Sequence, residues 1–386
     1  MMDYGLTEEQ KMIRDLAAKI ANERVLPARA ELDENGEFPW EIMNCCAEAG
    51  LFGIYIPEEY GGFGAGAFES ILAIEELSKA CIGVSVSYAA SGLGSYSILL
   101  FGTEEQKKKY LPDIAAGKKL AAFGLTEANA GSDAGGIQTT AVLDGNEYVI
   151  NGTKQWITNG GEAETYTVVA MTNKAKGARG ASTFIIEKGT PGFSFGKKEN
   201  KMGIRTSATR ELVFENCRIP KENILGKEGM GFLIAMKTLD MSRPGIGVQG
   251  VGLAQGALDL AVQYARERVQ FGKPIIANQA VQHMLADMAM QTEAARALVY
   301  ATTRFMDADS GSYSKESAMS KCFAADVAMK VTTDAVQILG GYGYMKEYPA
   351  EKMMRDAKIL QIYEGTNQIQ RNVIAQCLVK EAASKK

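Results

Sequence analysis

A chain of 386 residues with a single histidine, His283, has little room for imidazole chemistry. Sites that need two histidines, such as His-rich zinc centres or the HExxH motif, are excluded. A Ser-His-Asp or Cys-His constellation would have to use His283 itself. That residue lies in a helical run over 279–288, where a lone histidine reads as structural or exposed. Proton transfer therefore falls to carboxylates, and harder chemistry to a cofactor. Glu364 is the carboxylate in the most telling context. It stands in Tyr363-Glu364-Gly365-Thr366-Asn367-Gln368, between the apolar stretch 359–362 and the helix-like stretch 369–378. Desolvation there would make it a base of raised pKa. The alternative is an acid at a helix N-terminus.

Three further constellations bear on binding. Residues 126–136, TEANAGSDAGG, form a hydroxyl- and glycine-rich loop that offers backbone N–H groups to an anion or serves as a plain turn. Trp156 and Thr158 share one face of a strand and Ile157 the other, which makes Trp156 either core or part of a cofactor site. Gly245-Ile-Gly247-Val-Gln-Gly250 matches G-x-G-x-x-G, but Asp240-Met-Ser-Arg-Pro244 before it is no strand. A helix with a small-residue face is the better reading, and a Rossmann domain is poorly supported.

The elements that must position these residues fall into three sections. Residues 1–120 read as helices. Thr7 and Gln10 make a capping box, and Met12, Ile13, Leu16, Ile20 and Val25 form a stripe ending near Pro27. Residues 58–64 are a glycine-rich loop, and 70–79 and 93–110 return to helical spacing. From 121 to 230 strands dominate, at 148–150, 156–158, 166–171, 183–186 and 211–214. Asp144-Gly145 and Asn151-Gly152 are hairpin-turn pairs. From 231 to 386 long helices return over 253–268, 279–307 and 317–339, the pattern of a four-helix bundle. The fold class expected is α+β, mostly α: an N-terminal helical domain, a central antiparallel β-barrel and a C-terminal four-helix bundle.

Composition narrows the class. Apolar residues make up 46% and charged residues 23%, an ordinary globular balance. Net charge is 42 − 46 = −4, which gives no footprint for nucleic acid. Six scattered cysteines without a CxxC pair fit no metal motif and suit a reducing cytoplasm. The first residues, MMDYGLTEEQKMIRDL, lack a signal peptide's apolar core. No apolar run of about 18 residues is read, so no membrane span is expected.

Five segments, in order, resemble the acyl-CoA dehydrogenase family over nearly the whole chain. They are FGLTEANAGSD at 123–133, WITNGG at 156–161, RVQFGKPI at 268–275, QILGGYGYMKEYP at 337–349 and IYEGTNQIQR at 362–371. The resemblance implies the three-section fold, FAD as cofactor, and a homotetramer built from two dimers. By the match, Phe123, Leu125 and Thr126 would line the flavin, with Gly131 beside it and Ser132 near the phosphates. Trp156 would flank the isoalloxazine and Thr158 bond near its reactive nitrogen, which moves Trp156 from core to cofactor. Arg268, Gln270, Phe271, Gln337, Gly340 and Gly341 would hold the FAD of a neighbouring subunit, and Thr366 and Gln368 its ADP half. Glu364 matches the catalytic base. Some members carry the base on an earlier helix, but the matching position here is Ser242. Asp240 and Arg243 match residues at the CoA part of the substrate, and Ser132, Tyr363 and Gly365 complete the implied substrate contacts.

The implied reaction is α,β-dehydrogenation of an acyl-CoA thioester, the base taking the Cα proton and hydride leaving Cβ for the flavin. The base's backbone N–H and a ribityl hydroxyl of FAD would stabilise the thioester oxygen. Electrons would pass to an electron-transferring flavoprotein. Segment 85–98 departs from the commoner pattern, with Ser97 where many short-chain members have proline. Tyr88 and Tyr96 there would reshape the acyl pocket or simply pack the helix, and a short, branched or cyclic acyl group is expected. An enoyl-CoA reductase, a flavin oxidase on the same fold and a non-catalytic helical scaffold are the alternatives.

Overall fold

The computed structural model describes residues 4–308 and 311–384. The Thr7–Gln10 capping box starts α1 (Glu8–Ile20) as expected. The stripe does not end at Pro27. A π-helical turn, Ala21–Val25, leads directly into α2 (Leu26–Asn35), which carries Pro27 at its second position. Next come α3 (Trp40–Glu48), α4 (Ala67–Ala80), α5 (Ile82–Phe101) and α6 (Glu104–Ala115). The single run read over 93–110 is thus two helices, because Thr103 caps a new one through its own capping box with Gln106. Contrary to the sequence reading, α5 is long and apolar enough to cross a membrane. It is instead a mostly buried core helix packed against α4, α7 (Gly231–Glu267) and the sheet.

The central section holds β1 (Ala121–Gly124), β2 (Thr140–Asp144), β3 (Glu147–Thr158), β4 (Thr165–Met171), β5 (Ala181–Glu187), β6 (Phe193–Phe195), β7 (Thr209–Pro220) and β8 (Ile224–Leu225). Their order is β6-β7-β3-β2-β4-β5-β8, with β1 on β4. Two pairings, β1 with β4 and β2 with β4, are parallel. No pairing joins β6 to β8 among the described residues, so the expected closed antiparallel barrel is corrected to an eight-stranded mixed sheet. The Asp144-Gly145 hairpin is present, closed by Asp144 opposite Glu147. The Asn151-Gly152 hairpin is not: β3 runs straight through it, and the pair forms a bulge opposite β7. Asn151 Oδ1 accepts the Asn216 N–H at 2.7 Å, so its side chain supplies the bond the bulge removes.

The last section is helical. Helix α7 already starts at Gly231, well before the 253 read from periodicity, and continues through Pro244. Proline leaves the carbonyl of Asp240 without its helical donor. Ser317 Oγ donates to it at 2.6 Å instead. The G-x-G-x-x-G stretch lies inside α7 as a small-residue face. A Cβ at Gly250 would sit 2.8 Å from Ala324 O, and one at Gly252 2.3 Å from Glu75 O, so α9 (Ser314–Leu339) and α4 approach to backbone contact. Between α7 and α8 (Gln279–Asp307) a small hairpin, β9 (Val269–Gln270) and β10 (Lys273–Pro274), projects outward. Two helices close the chain, α10 (Ala350–Ala357) and α11 (Asn367–Ser384).

Candidate active site

Glu364 lies in the turn that feeds α11, with φ +51° at Glu364 and +92° at Gly365. A left-handed glutamate costs about 1–2 kcal/mol, so the surroundings must hold it. They do so through its carbonyls. Arg243 Nε donates to Glu364 O at 3.3 Å. Gln370 Nε2 donates to the carbonyls of Glu364 and Gly365 at 3.1 and 3.0 Å. Lys321 Nζ donates to Gly365 O at 2.8 Å. Thr366 Oγ1 accepts the N–H of Ile369 at 3.2 Å, capping α11. The helix-terminus reading of this segment therefore belongs to Thr366 and not to Glu364.

The turn aims the carboxyl of Glu364 at α7, where Ser242 Oγ donates to Oε2 at 2.5 Å. Burial pushes this carboxyl up to about 6, against the pull of the Ser242 bond and of the Arg243 and Lys321 charges. Ser242, at the alternative base position, thus serves as a hydrogen-bond donor to Glu364. Arg243 is nearly fully buried and paired with Asp240 at 2.8 Å. Ser314 donates to the other Asp240 oxygen. Tyr363 donates to Gln249 at 2.6 Å. The structure therefore gathers Glu364, Asp240, Arg243, Tyr363 and Gly365 around one seam of α7 and α9. Ser132 makes no hydrogen bond to this group and sits on the exposed loop after β1.

Tyr88 and Tyr96 part company. Tyr88 is buried, donates to Leu51 O at 2.8 Å and packs on Phe52, the ordinary helix-packing alternative. Tyr96 lies edge-on to Tyr55 at 5.0 Å, in space that Gly92 leaves free. Ser97, in place of proline, bonds Thr238 of α7 at 2.9 Å. His283 is an exposed residue on α8, far in sequence from every group named above.

The second group is built where β1 ends beside β3. Phe123 and Leu125 are nearly buried, Thr126 and Thr158 half-buried, and Gly131 exposed. Gln155 N–H donates to Thr126 O at 2.8 Å, and the register slips between Lys154 and Ile157. That bulge puts Trp156 at φ +58° and leaves its indole 57% exposed while Ile157 is 4% exposed. The core reading of Trp156 is overturned. Among the described residues, the hydroxyls of Thr126, Ser132 and Thr158 and the Trp156 indole N–H have no protein partner. An outward indole beside unpaired hydroxyls suits a flat, hydrogen-bonding aromatic group, so these residues fit a flavin.

The third group is remote. Arg268, Gln270, Gly340 and Gly341 line a surface depression of about 520 Å³ together with Tyr342 and Met345. Arg268 lies over the Tyr342 ring at 5.2 Å. Phe271, φ +52°, is 95% exposed at the β9–β10 tip. Gln337 and Gln368 are exposed. The 25 residues of α7 from Arg243 to Glu267 span about 36 Å at about 1.5 Å per step, so Arg268 and the depression it lines are remote from Glu364 within the same chain, whereas Gln368 lies at the start of α11, close to the Glu364 turn.

Lys321, Gln370, Lys154 and Glu127 escaped the sequence reading. Lys321 had a signal: it falls on the small-residue stripe Ser317, Lys321, Ala324, Ala328, a buried register for a charge. Lys154, with no exposed surface, pairs with Glu127 at 2.7 Å and donates to Leu125 O at 3.1 Å, under the loop that follows β1.

Comparison with known proteins places this geometry. Three family models match: the N-terminal domain of acyl-CoA dehydrogenase at residues 7–118, the middle domain at 122–217 and the C-terminal domain at 229–379. The acryloyl-CoA reductase (NADH) of Anaerotignum propionicum is 50% identical over 381 residues, 98% of this chain and 96% of the relative. A chain of the structure described as "Electron transferring flavoprotein of Acidaminococcus fermentans: Towards a mechanism of flavin-based electron bifurcation" is 54% identical, with TM-score 0.96, covering 98% of this chain and 99% of that one. Butyryl-CoA dehydrogenase from Megasphaera elsdenii is 48% identical, also with TM-score 0.96, covering 98% of this chain and 100% of the other.

Proposed function

The chain belongs to the acyl-CoA dehydrogenase family of flavin-dependent oxidoreductases, whose members bind FAD, and from that premise we propose that it interconverts a short acyl-CoA thioester and its 2-enoyl-CoA, with Glu364 as the base. The observation that carries the proposal is the Glu364 carboxyl, aimed by a left-handed turn at Ser242 and raised by burial to about 6. Such a group is ionised at neutral pH yet closer in proton affinity to its task than a solvated glutamate. It removes the Cα proton of the thioester. The Glu364 N–H, without a protein acceptor among the described residues, is a donor for the thioester oxygen as charge builds there. Asp240 and Arg243 orient the CoA portion, and Tyr363 and Gly365 border the acyl carbons. FAD, when bound, supplies the acceptor for the hydride that leaves Cβ. Phe123, Leu125, Thr126, Gly131, Ser132, Trp156 and Thr158 hold it in this chain.

The groove of Arg268, Gln270, Gly340 and Gly341, with Phe271 at the hairpin tip and the exposed Gln337 at the end of α9, would serve the FAD of a second copy, and Gln368 its ADP half. The separation of about 36 Å along α7 supports a second copy at that groove, and a homotetramer made of two dimers is the assembly proposed. Electrons pass to an electron-transferring flavoprotein, supported by the subject of the 54% identical structure. The reverse direction, enoyl-CoA reduction, is the second reading, favoured by the acryloyl-CoA reductase at 50% identity. Six free thiols support a cytoplasmic location.

Anaerobic titration with butyryl-CoA tests the base. The Glu364→Gln variant should keep its yellow flavin and fail to bleach. Undiminished bleaching would remove Glu364 from the mechanism.

A further inference from the structure

Lys321 carries no exposed surface, yet it is cationic and lies on the face of α9 turned to the catalytic turn. Two of its three ammonium protons have acceptors in the turn. One goes to Gly365 O at 2.8 Å and one to Asn367 Oδ1 at 3.0 Å. Asn367 in turn donates to Cys322 O at 3.2 Å and to Asp326 Oδ1 at 2.8 Å, so the first residue of α11 is tied back to α9. The lysine thus spans the turn from the residue after Glu364 to the start of α11.

We propose that Lys321 is a positioning residue for Glu364: it clips the left-handed turn from below through Gly365 and Asn367, and its buried charge keeps the neighbouring carboxyl ionised and ready to take a proton. The inference rests on Glu364 being the base. A neutral hydrogen-bond donor would serve the geometry alone. A buried ammonium also acts on the carboxyl through a medium that screens poorly, and opposite charges within about 4–6 Å lower a carboxyl pKa by about 1–3.

The other groups facing Glu364 come from every packed element. Helix α7 supplies Ser242, bonded to the carboxyl, and Arg243, which is paired with Asp240 yet lowers the carboxyl more than Lys321 does. Helix α5 brings Tyr96, whose hydroxyl burial and the nearby Glu364 charge keep protonated. Tyr363, the preceding residue, is likewise held neutral. Gln370 of α11 reaches only the carbonyls. Lys321 is therefore the cation near Glu364 without a carboxylate hydrogen-bonded to it among the described residues. Burial pushes its amine down to about 8, so it is charged across the whole range in which a carboxyl near 6 titrates.

The test is the pH profile of flavin bleaching. Stopped-flow reduction of the FAD-loaded enzyme by butyryl-CoA is followed anaerobically from pH 5 to 9 for the wild type, Lys321→Gln, Lys321→Met and Glu364→Gln. Glutamine keeps a donor and loses the charge; methionine loses both. Both Lys321 variants should move the acid limb of second-order bleaching upward by about one pH unit. At pH 6 that is a loss of about fivefold, since a carboxyl titrating at about 7 is only about one-tenth ionised there. At pH 9 the glutamine variant should fall within about twofold of wild type. An acid limb that stays put in Lys321→Gln, or a rate lowered evenly at every pH, would overturn the inference and leave Lys321 as packing. Bleaching that survives Glu364→Gln would instead overturn the assignment of the base.

Discussion

The Lys154–Glu127 ion pair beneath the loop after β1 is where substitution should be most costly. Lys154 is fully buried, the Glu127 side chain is 10% exposed, and their charged atoms are 2.7 Å apart. At an effective dielectric of about 20 the gross attraction is about 6 kcal/mol, most of it offset by taking both charges out of water. Lys154→Met removes the cation and leaves the carboxylate buried, which typically costs about 3–5 kcal/mol. The structure sets a ceiling. Glu127 keeps two backbone donors, the N–H groups of Gln138 at 2.6 Å and Thr139 at 2.9 Å. It can also escape by taking a proton, which at pH 7 costs about 3.5 kcal/mol for a carboxyl of ordinary pKa. The expected loss is therefore about 3 kcal/mol. It is greatest at neutral pH and shrinks as the pH falls through the raised pKa of the orphaned Glu127, where protonation removes the unpaired charge. For a chain of 386 residues melting as a unit, that corresponds to a melting point about 4 °C lower. The assay is thermal unfolding of the FAD-free protein at pH 7 and pH 5, with Glu127→Gln/Lys154→Met alongside. The double variant should recover most of the loss. A Lys154→Met protein within about 1 kcal/mol of wild type at pH 7, or a double variant no better than the single, would refute the reasoning.

Two other substitutions probe the remaining groups. Trp156→Gly removes an exposed indole and relieves a left-handed backbone by about 1 kcal/mol, so the FAD-free protein should melt no lower than wild type while FAD dissociation weakens by at least tenfold; unaltered FAD affinity would return Trp156 to a surface role. Phe271→Asp, at a tip where the side chain is 95% exposed, should leave the chain folded and shift the assembly toward smaller species in sedimentation; an unchanged sedimentation profile would exclude the tip from subunit contact.

Local patterns were legible wherever the physics is local. The Thr7 capping box, the Asp144-Gly145 hairpin and the bounds of α8 follow from nearest neighbours along the chain. So did the small-residue face of α7, because glycines at helical spacing leave room for one partner only, another backbone. What failed was equally local in form but decided elsewhere. Asn151-Gly152 has a turn's chemistry, yet β7 lies along β3 on both sides of it and absorbs the pair as a bulge. Pro244 ought to end a helix, but Ser317 on another helix satisfies the carbonyl it strands.

For the site, the residue types alone excluded histidine chemistry and singled out Glu364 as an acid in apolar company. Sequence also placed Trp156 and Thr158 on one face of β3. Tertiary structure decided that Glu364 is a buried carboxyl held in a left-handed turn and not a helix cap, since the donors of that turn come from α7, α9 and α11, up to 121 positions away. It decided as well how two tyrosines part: Tyr88 donates to Leu51 O in the core, and Tyr96 packs edge-on to Tyr55. A carboxyl's proton affinity depends on the dielectric and charges within a few ångströms, and those neighbours are assembled only when the helices pack.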